Sequence, residues 1–458
     1  MDYSYIEDKF KGQKTKVGII GATRGYGYTI VVQLHYTPQC SLRLICSRHP
    51  DECVDVLKKV GYDEKLIKVC ATEADAKACG PDDILVVSDY RLLTAAGLNT
   101  VIECTGKVDL SSSAAALAIN NGINVCMVSK ETDSVCGPYL TRLAMEKGVI
   151  YTLASGDQPR NLADLCSWAR ALGLEIVCAG KASENDIIYN PEDGAVTYFE
   201  AQPSAYIPEL AKYREFKGVE TLKARYELLK DLLGPISADL CEMNLVSNVT
   251  GLKPAAVELN YPVARITELA DIFIPEEDGG ILKSTGVVDV FYDYRYTDEV
   301  SFGGGEFVIV RCNDEQTWEL IRGKGHVVSK SGKYACIFWP YHFLGVETPA
   351  SVMLMDFLGV GLHKKCRQVT VMAGKAQAPM AKGSTLKVEG HHHTIENVTP
   401  QLYEKDKLPA GVLPFYLLNW AEVTADIKAG DFITKDNVRI DPALSDAYEF
   451  FTKGLEIK

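Results

Sequence analysis

The stretch that most constrains this chain is residues 16–31, Lys-Val-Gly-Ile-Ile-Gly-Ala-Thr-Arg-Gly-Tyr-Gly-Tyr-Thr-Ile-Val. An apolar run, a glycine turn and the first turns of a helix follow one another directly, which commits the region to a strand–turn–helix unit. Gly21, Gly25 and Gly27 let the backbone bend tightly, and the free N–H groups of the helix start then face the turn. Such a turn accepts an anion, above all a pyrophosphate. The spacing is G-x-x-x-G-x-G rather than the commoner G-x-G-x-x-G, and glycine turns also close ordinary strand–helix units. Thr23, Arg24 and Tyr26 share the loop and join the three glycines as candidate cofactor-binding residues.

A second buried strand is expected at 41–47, ending in Ser47-Arg48 where an NAD-preferring fold usually carries an acid. A hydroxyl with the guanidinium groups of Arg24 and Arg48 suits a 2′-phosphate, because arginine meets phosphate through a planar fork. NADP is therefore the expected cofactor, with NAD as the alternative. Short apolar runs at 83–88, 100–105, 124–129 and 150–154 continue the pattern, and an Ala-rich helix at 111–121 is opened by three serines and closed by Gly122. Strands alternating with helices predict an α/β fold with a doubly wound parallel sheet of Rossmann type, over residues 1–158.

The pattern then changes. Helices at 160–172, 219–233 and 238–249 alternate with strands at 286–294, 306–311 and 333–340, which predicts an α+β substrate domain over 159–365. Residues 378–387 recur weakly at 425–434, each copy a polar strand, a Lys/Ala-Gly turn and an apolar residue three beyond the glycine. The repeat predicts a small β-rich module at 366–458.

A net charge of −13 argues against nucleic acid as a partner. No run approaches the roughly 18 apolar residues of a membrane span, and the acidic N-terminus lacks the order of a signal peptide. The 14 cysteines, among them Cys46, Cys104, Cys126 and Cys178, form no C-x-x-C pair. Reduced thiols in a cytosolic protein, with no metal site, are expected. A small-molecule substrate and a homo-oligomeric state complete these expectations.

Several short motifs carry a family resemblance. They are Val-Ile-Glu-Cys-Thr-Gly at 101–106, Val-Ser-Lys-Glu at 128–131, Gly-Asp-Gln-Pro at 156–159 and Ala-Gly-Lys at 179–181. Asn-Val-Thr-Gly-Leu at 248–252, Asp-Gly-Gly-Ile-Leu at 278–282 and the segment 425–438 add to them. In this order they resemble the homoserine-dehydrogenase-like oxidoreductases with a C-terminal SAF domain, a group that includes the deoxyxylulose-5-phosphate reductoisomerase-like enzymes. The resemblance spans nearly the whole chain. The chain departs from it in two places: the glycine loop is closer to that of short-chain dehydrogenases, and 234–242 (Gly-Pro-Ile-Ser-Ala-Asp-Leu-Cys-Glu) lacks the expected D-G-T-K stretch. A short-chain dehydrogenase is disfavoured, because the Tyr226–Lys230 pair comes far too late.

Hydride transfer requires placement of a carbonyl against the nicotinamide, a proton donor and a cation for the developing alkoxide. The resemblance places Lys130, at the carboxyl edge of the sheet, beside nicotinamide and substrate, although strand-end lysines are ordinarily solvated. Lys181 is the second candidate cation. Asp157 either serves the site or caps the helix that Pro159 opens, and Gln158 joins it as a substrate contact. Thr105 and Gly106 are expected at the cofactor, with Glu103 as a buried backbone or ribose contact. Glu242 either replaces the missing lysine as a hydroxyl or metal ligand or is an ordinary helix-surface acid. Asn248 and His342 are further substrate candidates, and the tract at 391–393 is expected in an exposed turn. The expected activity is an NADP-dependent oxidation or reduction of a small polyol-type or phosphorylated carbonyl compound, in its sharpest form a reductoisomerase that would call for a divalent metal. The alternative is an NAD(P)-binding sensor or scaffold without redox turnover.

Overall fold

The computed structural model describes residues 3–198, 202–234, 236–362, 366–390 and 393–457. Seven parallel strands form the first sheet: β1 Thr15–Ile20, β2 Cys40–Cys46, β3 Ile67–Val69, β4 Ile84–Val87, β5 Thr100–Glu103, β6 Asn124–Met127 and β7 Tyr151–Leu153. Their order is β3-β4-β2-β1-β5-β6-β7, so the winding reverses between β1 and β5. Open α/β sheets bind ligands at that reversal, beyond the carboxyl ends of the strands. The central strands are mostly apolar, as helices on both faces require, with polar residues placed largely at the strand ends.

One helix differs from expectation at its start. It spans Val108–Asn120 with Lys107 at its N-cap, so Ser111 and Ser112 lie buried inside it and cap nothing. Its end is as expected, with Gly122 in the left-handed region (φ +74°).

The chain leaves this sheet through the helix Gln158–Ala171 and enters a mixed sheet. Its strands are β8 Ile176–Ala182, β9 Ile187–Tyr189, β10 Ala195–Thr197, β11 Ala205–Tyr206, β12 Lys253–Pro254, β13 Val263–Ala264, β14 Val287–Tyr296, β15 Glu306–Arg311 and β16 Tyr334–Trp339. The main path runs β11-β10-β9-β14-β8-β15-β16, with β12 and β13 paired to β14. The helices Gln158–Ala171 and Ser237–Thr250 pack on one face, and Phe273, Phe291 and Phe307 build an aromatic core elsewhere in this domain.

The helix Thr348–Leu358 returns to the first sheet, so this part of the expected second domain packs with the Rossmann unit. Asp356 anchors it by accepting from Thr100 Oγ1 (2.7 Å), Asn124 Nδ2 (2.7 Å) and Thr15 Oγ1. One carboxylate thereby joins three strands at their amino-terminal edge.

In the C-terminal region the two copies of the weak repeat pair with each other. Met380 and Ile427, forty-seven positions apart, exchange both backbone hydrogen bonds at 2.9 Å. Ala376 N donates to Asp431 O (2.9 Å), and the equivalent Val423 N donates to Ser384 O (2.8 Å). Gly383 N and Gly430 N likewise donate to Val423 O and Ala376 O. The two halves are thus related by a local two-fold axis. A hairpin of β17 Thr370–Ala376 and β18 Val398–Glu404 flanks them. The last helix, Ser445–Leu455, lies against the helices Val108–Asn120 and Lys130–Lys147 of the first domain, with Tyr139 and Phe450 stacked at 4.9 Å. All 14 cysteines are free, and among the described residues no helix is long and apolar enough to cross a membrane.

Candidate functional site

The glycine turn has the geometry its sequence requires. Gly21 has φ +89°, and a Cβ there would lie 2.8 Å from the Cys104 carbonyl oxygen. A Cβ on Gly27 would lie 2.1 Å from the Gly21 carbonyl oxygen, so the turn closes onto the helix only with glycine at this position. Gly25 takes φ +54° facing open space. Arg24 forms the N-cap of the helix Gly25–Tyr36 without a side-chain cap, which leaves the first N–H groups for an outside acceptor. Arg24 is exposed and pairs with Glu52 at 3.3 Å; Arg48 is also exposed, and Ser47 Oγ accepts from His49 N at 3.2 Å. Thr23 is half-buried. Tyr26 reaches across to donate to the Ser155 carbonyl oxygen at 3.2 Å, tying the glycine-turn helix to the end of β7.

Across the reversal, Glu103 orders the loop after β5. Its Oε1 accepts from Thr105 N (3.0 Å) and Thr105 Oγ1 (2.6 Å), while Ser129 Oγ accepts from Gly106 N (2.8 Å). Thr105 and Gly106 therefore face the glycine turn on a backbone held by buried groups. These residues fit a dinucleotide pyrophosphate: one wall is uncapped backbone, and the approach is one that a Cβ would block.

The second half of the site is an ionic cluster between the domains. Lys130 opens the helix that follows β6 and donates to Glu242 Oε1. Lys181, near the end of β8, donates to Glu242 Oε2 and to Asp239 Oδ1 (2.7 Å), and Ser183 Oγ donates to Asp239 Oδ2 (2.7 Å). Gln158 completes the set, its amide nitrogen 3.1 and 3.2 Å from the Glu242 oxygens and its oxygen 3.2 Å from Lys181 Nζ. Glu242 is no helix-surface acid: its side chain is 2% exposed, Lys181's is 1%, and Lys130's is 21%, which makes Lys130 the member open to an incoming molecule. Asp157 caps the helix Gln158–Ala171 by accepting from Gln158 N (3.1 Å) and also lies within the field of both lysines. The cap is therefore present, and it leaves Asp157 beside the ionic cluster.

Burial opposes every charge in this cluster, and the neighbours decide the balance. Against burial, Lys130 and Lys181 together pull the Glu242 carboxyl down to about 2. Burial works against the charge on Lys130, and Glu242, Asp157 and Glu131 outweigh it and hold its pKa well above the ordinary value. Burial raises Asp157, partly countered by Lys130.

The remaining candidates divide. His342 Nδ1 donates to the Gly304 carbonyl oxygen at 2.9 Å, and Gly304 lies between the His342 ring and the Gln158 amide, so His342 borders the cluster. Asn248 does not. Its Oδ1 accepts from Val369 N (2.8 Å) and Thr370 N (3.0 Å), holding the start of β17, so its carboxamide is spent on backbone. Of the histidine tract, 391 and 392 lie outside the described residues. His393 is partly buried beside Tyr416 Oη (3.1 Å) and Glu131 (3.6 Å), not in an exposed turn. Among the described residues no group of three or more His, Cys, Asp or Glu is arranged to hold a metal.

Sequence reasoning passed over Asp239 and Glu306. The signal for Asp239 was legible: Asp239 and Glu242 stand three apart in a helix otherwise apolar around them (Leu240, Cys241, Met243, Leu245), and acids are rarely buried there unless paired.

Buried acids give a pH dependence of stability. Burial raises Glu131, Asp133 and Asp293 to about 7, Asp289 to about 6 and Glu306 to about 9. In each case the folded state keeps a proton that the unfolded chain has released, so stability falls as pH rises from the ordinary carboxylate range through these values. Glu242 has the opposite sign, its contribution being complete above about 4.5 and lost as pH falls towards about 2. The thermal midpoint is therefore expected to decline from about pH 5 to about pH 8, each group contributing at most about 1.4 kcal/mol per pH unit. Melting curves at constant ionic strength test this, and a flat profile would contradict it.

Fold and site together define a class: a Rossmann-type sheet joined to the catalytic domain of an oxidoreductase, with an ionic cluster where they meet. The catalytic-domain part rests on residues 156–348, which match the family described as oxidoreductase DRL, catalytic domain. Among curated proteins none matches the chain. Solved structures offer distant likenesses. A probable dehydrogenase from Thermotoga maritima is 12% identical over 76% of this chain and 90% of its own, with a TM-score of 0.38. Scyllo-inositol dehydrogenase from Lactobacillus casei, solved with NAD(H) and scyllo-inositol, is 10% identical over the same shares, with a TM-score of 0.37. A DOX-P reductoisomerase solved with fosmidomycin and magnesium is 13% identical over 52% of this chain and 58% of its own, with a TM-score of 0.32.

Proposed function

We propose that this protein is an NADP-dependent oxidoreductase acting on a small polyol-type or phosphorylated carbonyl compound. The observation that carries the reading is the buried Lys130–Glu242–Lys181 bridge, which links the carboxyl edge of the Rossmann sheet to the catalytic domain. The match of 156–348 to an oxidoreductase catalytic domain supports it.

The nicotinamide, when bound, supplies or accepts the hydride. The chain's own residues do the rest. The glycine turn and the Thr105–Gly106 loop hold the pyrophosphate, and Ser47, Arg24 and Arg48 meet the 2′-phosphate. Lys130, the more accessible cation, polarises the carbonyl, and Lys181 fixes Glu242 and Asp239 so that Lys130 stays charged and oriented. Gln158 and His342 line the side from which the substrate enters.

A reductoisomerase on a deoxyketose phosphate is the sharpest form of this reading. It would call for a divalent ion, yet both oxygens of Glu242 already bind ammonium groups, so this carboxylate set does not fit one as it stands. No step is assigned to a metal. The SAF-like module closes the site from the C-terminal side or mediates subunit contacts.

Calorimetric titration with NADPH, NADH and their oxidised forms tests the reading. NADPH is expected to bind, and Arg48→Ala to weaken it about tenfold to a hundredfold, the range for a lost hydrogen bond to a charged group, while leaving NADH unchanged. Absence of binding by every form would sink the assignment. Binding without cofactor turnover on any small carbonyl or polyol would favour a sensor.

A further inference from the structure

Glu306 opens β15 directly after the three glycines 303–305, in register opposite Lys181 of β8. Residues paired directly across an antiparallel ladder project from the same face. Glu306 therefore faces the side on which Lys181 meets Asp239 and Glu242. It is fully buried, and among the described residues neither of its carboxyl oxygens has a hydrogen-bond partner. A buried polar group in that condition calls for an explanation, because the desolvation of an unmade bond is uncompensated.

Charge balance supplies the explanation. Among the described residues, Asp157, Asp239, Glu242, Glu306 and Glu347 act in one field with Lys130 and Lys181, and the His342 imidazole also faces Asp157. Carboxylates outnumber the ammonium groups here, so ionising all of them is unfavourable and the buried acid with no cation partner is the one that keeps a proton. Glu242 and Asp239 hold the ammonium groups directly, whereas Glu306 touches none of them.

We infer that Glu306 is a catalytic residue, the neutral carboxylic acid that delivers the proton to the substrate oxygen during carbonyl reduction. This rests on the oxidoreductase reading. The carbonyl carbon gains the hydride from the reduced nicotinamide, the π pair moves onto oxygen, and that oxygen takes the Glu306 proton as the acid's O–H bond breaks. The nicotinamide is oxidised by two electrons, the carbonyl is reduced to an alcohol, and the Glu306 carboxylate regains a proton from water. Alcohol oxidation runs the same steps in reverse. Burial, together with Glu347, Asp157 and Glu242 and against the pull of Lys181, raises the acid to about 9, so it holds its proton at neutral pH.

The test is Glu306→Gln, which keeps the shape of a neutral acid and removes the transferable proton. NADPH consumption is followed against a panel of small polyol-type and phosphorylated carbonyl compounds, and NADPH affinity is measured alongside. The variant is expected to bind NADPH as the unaltered protein does, to lose about a hundredfold or more in kcat, and to lose the fall in kcat on the alkaline side of about pH 9. Glu306→Asp is expected to recover part of the rate and to keep the alkaline limb. Infrared difference spectra between the two proteins should contain a protonated-carboxyl band that disappears on titration through the same range. Equal kcat and an unchanged alkaline limb in Glu306→Gln overturn the acid role alone. Absence of turnover in the unaltered protein overturns the oxidoreductase reading and this inference with it.

Discussion

Replacing Lys181 with methionine is expected to destabilise the protein by about 3–5 kcal/mol, the range for removing one partner of a buried ion pair. The reason lies in what the lysine leaves behind. Asp239 and Glu242 are buried on the same helix turn and both hold this ammonium, so its loss leaves Asp239 with no cation and Glu242 with one fewer, both away from solvent. Glu242 retains Lys130, whereas Asp239 retains only hydroxyl partners in Ser183 and the more distant Tyr261. Adding Asp239→Asn to Lys181→Met should therefore recover more stability than adding Glu242→Gln. Urea unfolding of the three variants measures the difference, and equal recovery by both second substitutions would show that the ion pairs do not divide in this way.

The largest effect on ligand binding is expected at Gly27→Ala. The added methyl would lie 2.1 Å from the Gly21 carbonyl oxygen, a backbone atom that moves only if the whole turn opens. Overpacking of this kind costs about 1–3 kcal/mol. Since the distortion falls on the surface that receives the pyrophosphate, the loss should register as about a tenfold to hundredfold weaker affinity for NADPH and NADH alike. Gly25→Ala is the comparison: its Cβ meets open space, and only the positive φ resists it. If the two variants bind equally, steric closure at Gly27 is not what shapes the turn.

These two sites also show what the sequence could and could not disclose. The glycine turn was legible because its information is local: residues within a dozen positions form the strand, the bend and the helix. Lys130 and Asp157 were legible for the same reason, as strand-end residues of a parallel sheet. The partnership around Glu242 was not, because Lys130 reaches it across 112 positions from the first domain and Lys181 across 61 within the second, and only the tertiary fold brings the three together. Glu306 carried no local sign beyond the glycines before it. Its meaning comes from a strand register that places it opposite Lys181. Asn248 runs the opposite way: expected at the substrate from a family-like motif, it places its amide oxygen on two backbone N–H groups at a strand start. The return of Thr348–Leu358 to the first sheet was not legible either, since nothing local marks it.

The pairing of Met380 with Ile427 has a consequence for how the C-terminal region came to hold together. A two-fold contact of this kind is self-complementary, each half offering the other the surface it receives, as in a symmetric dimer. Joined in one polypeptide, the halves meet at an effective concentration fixed by the connecting segment and not by how much protein is present. Dilution cannot separate them. Once association is secured covalently, the halves need not stay alike, and the lysine before Gly383 already stands where the other copy has Ala429.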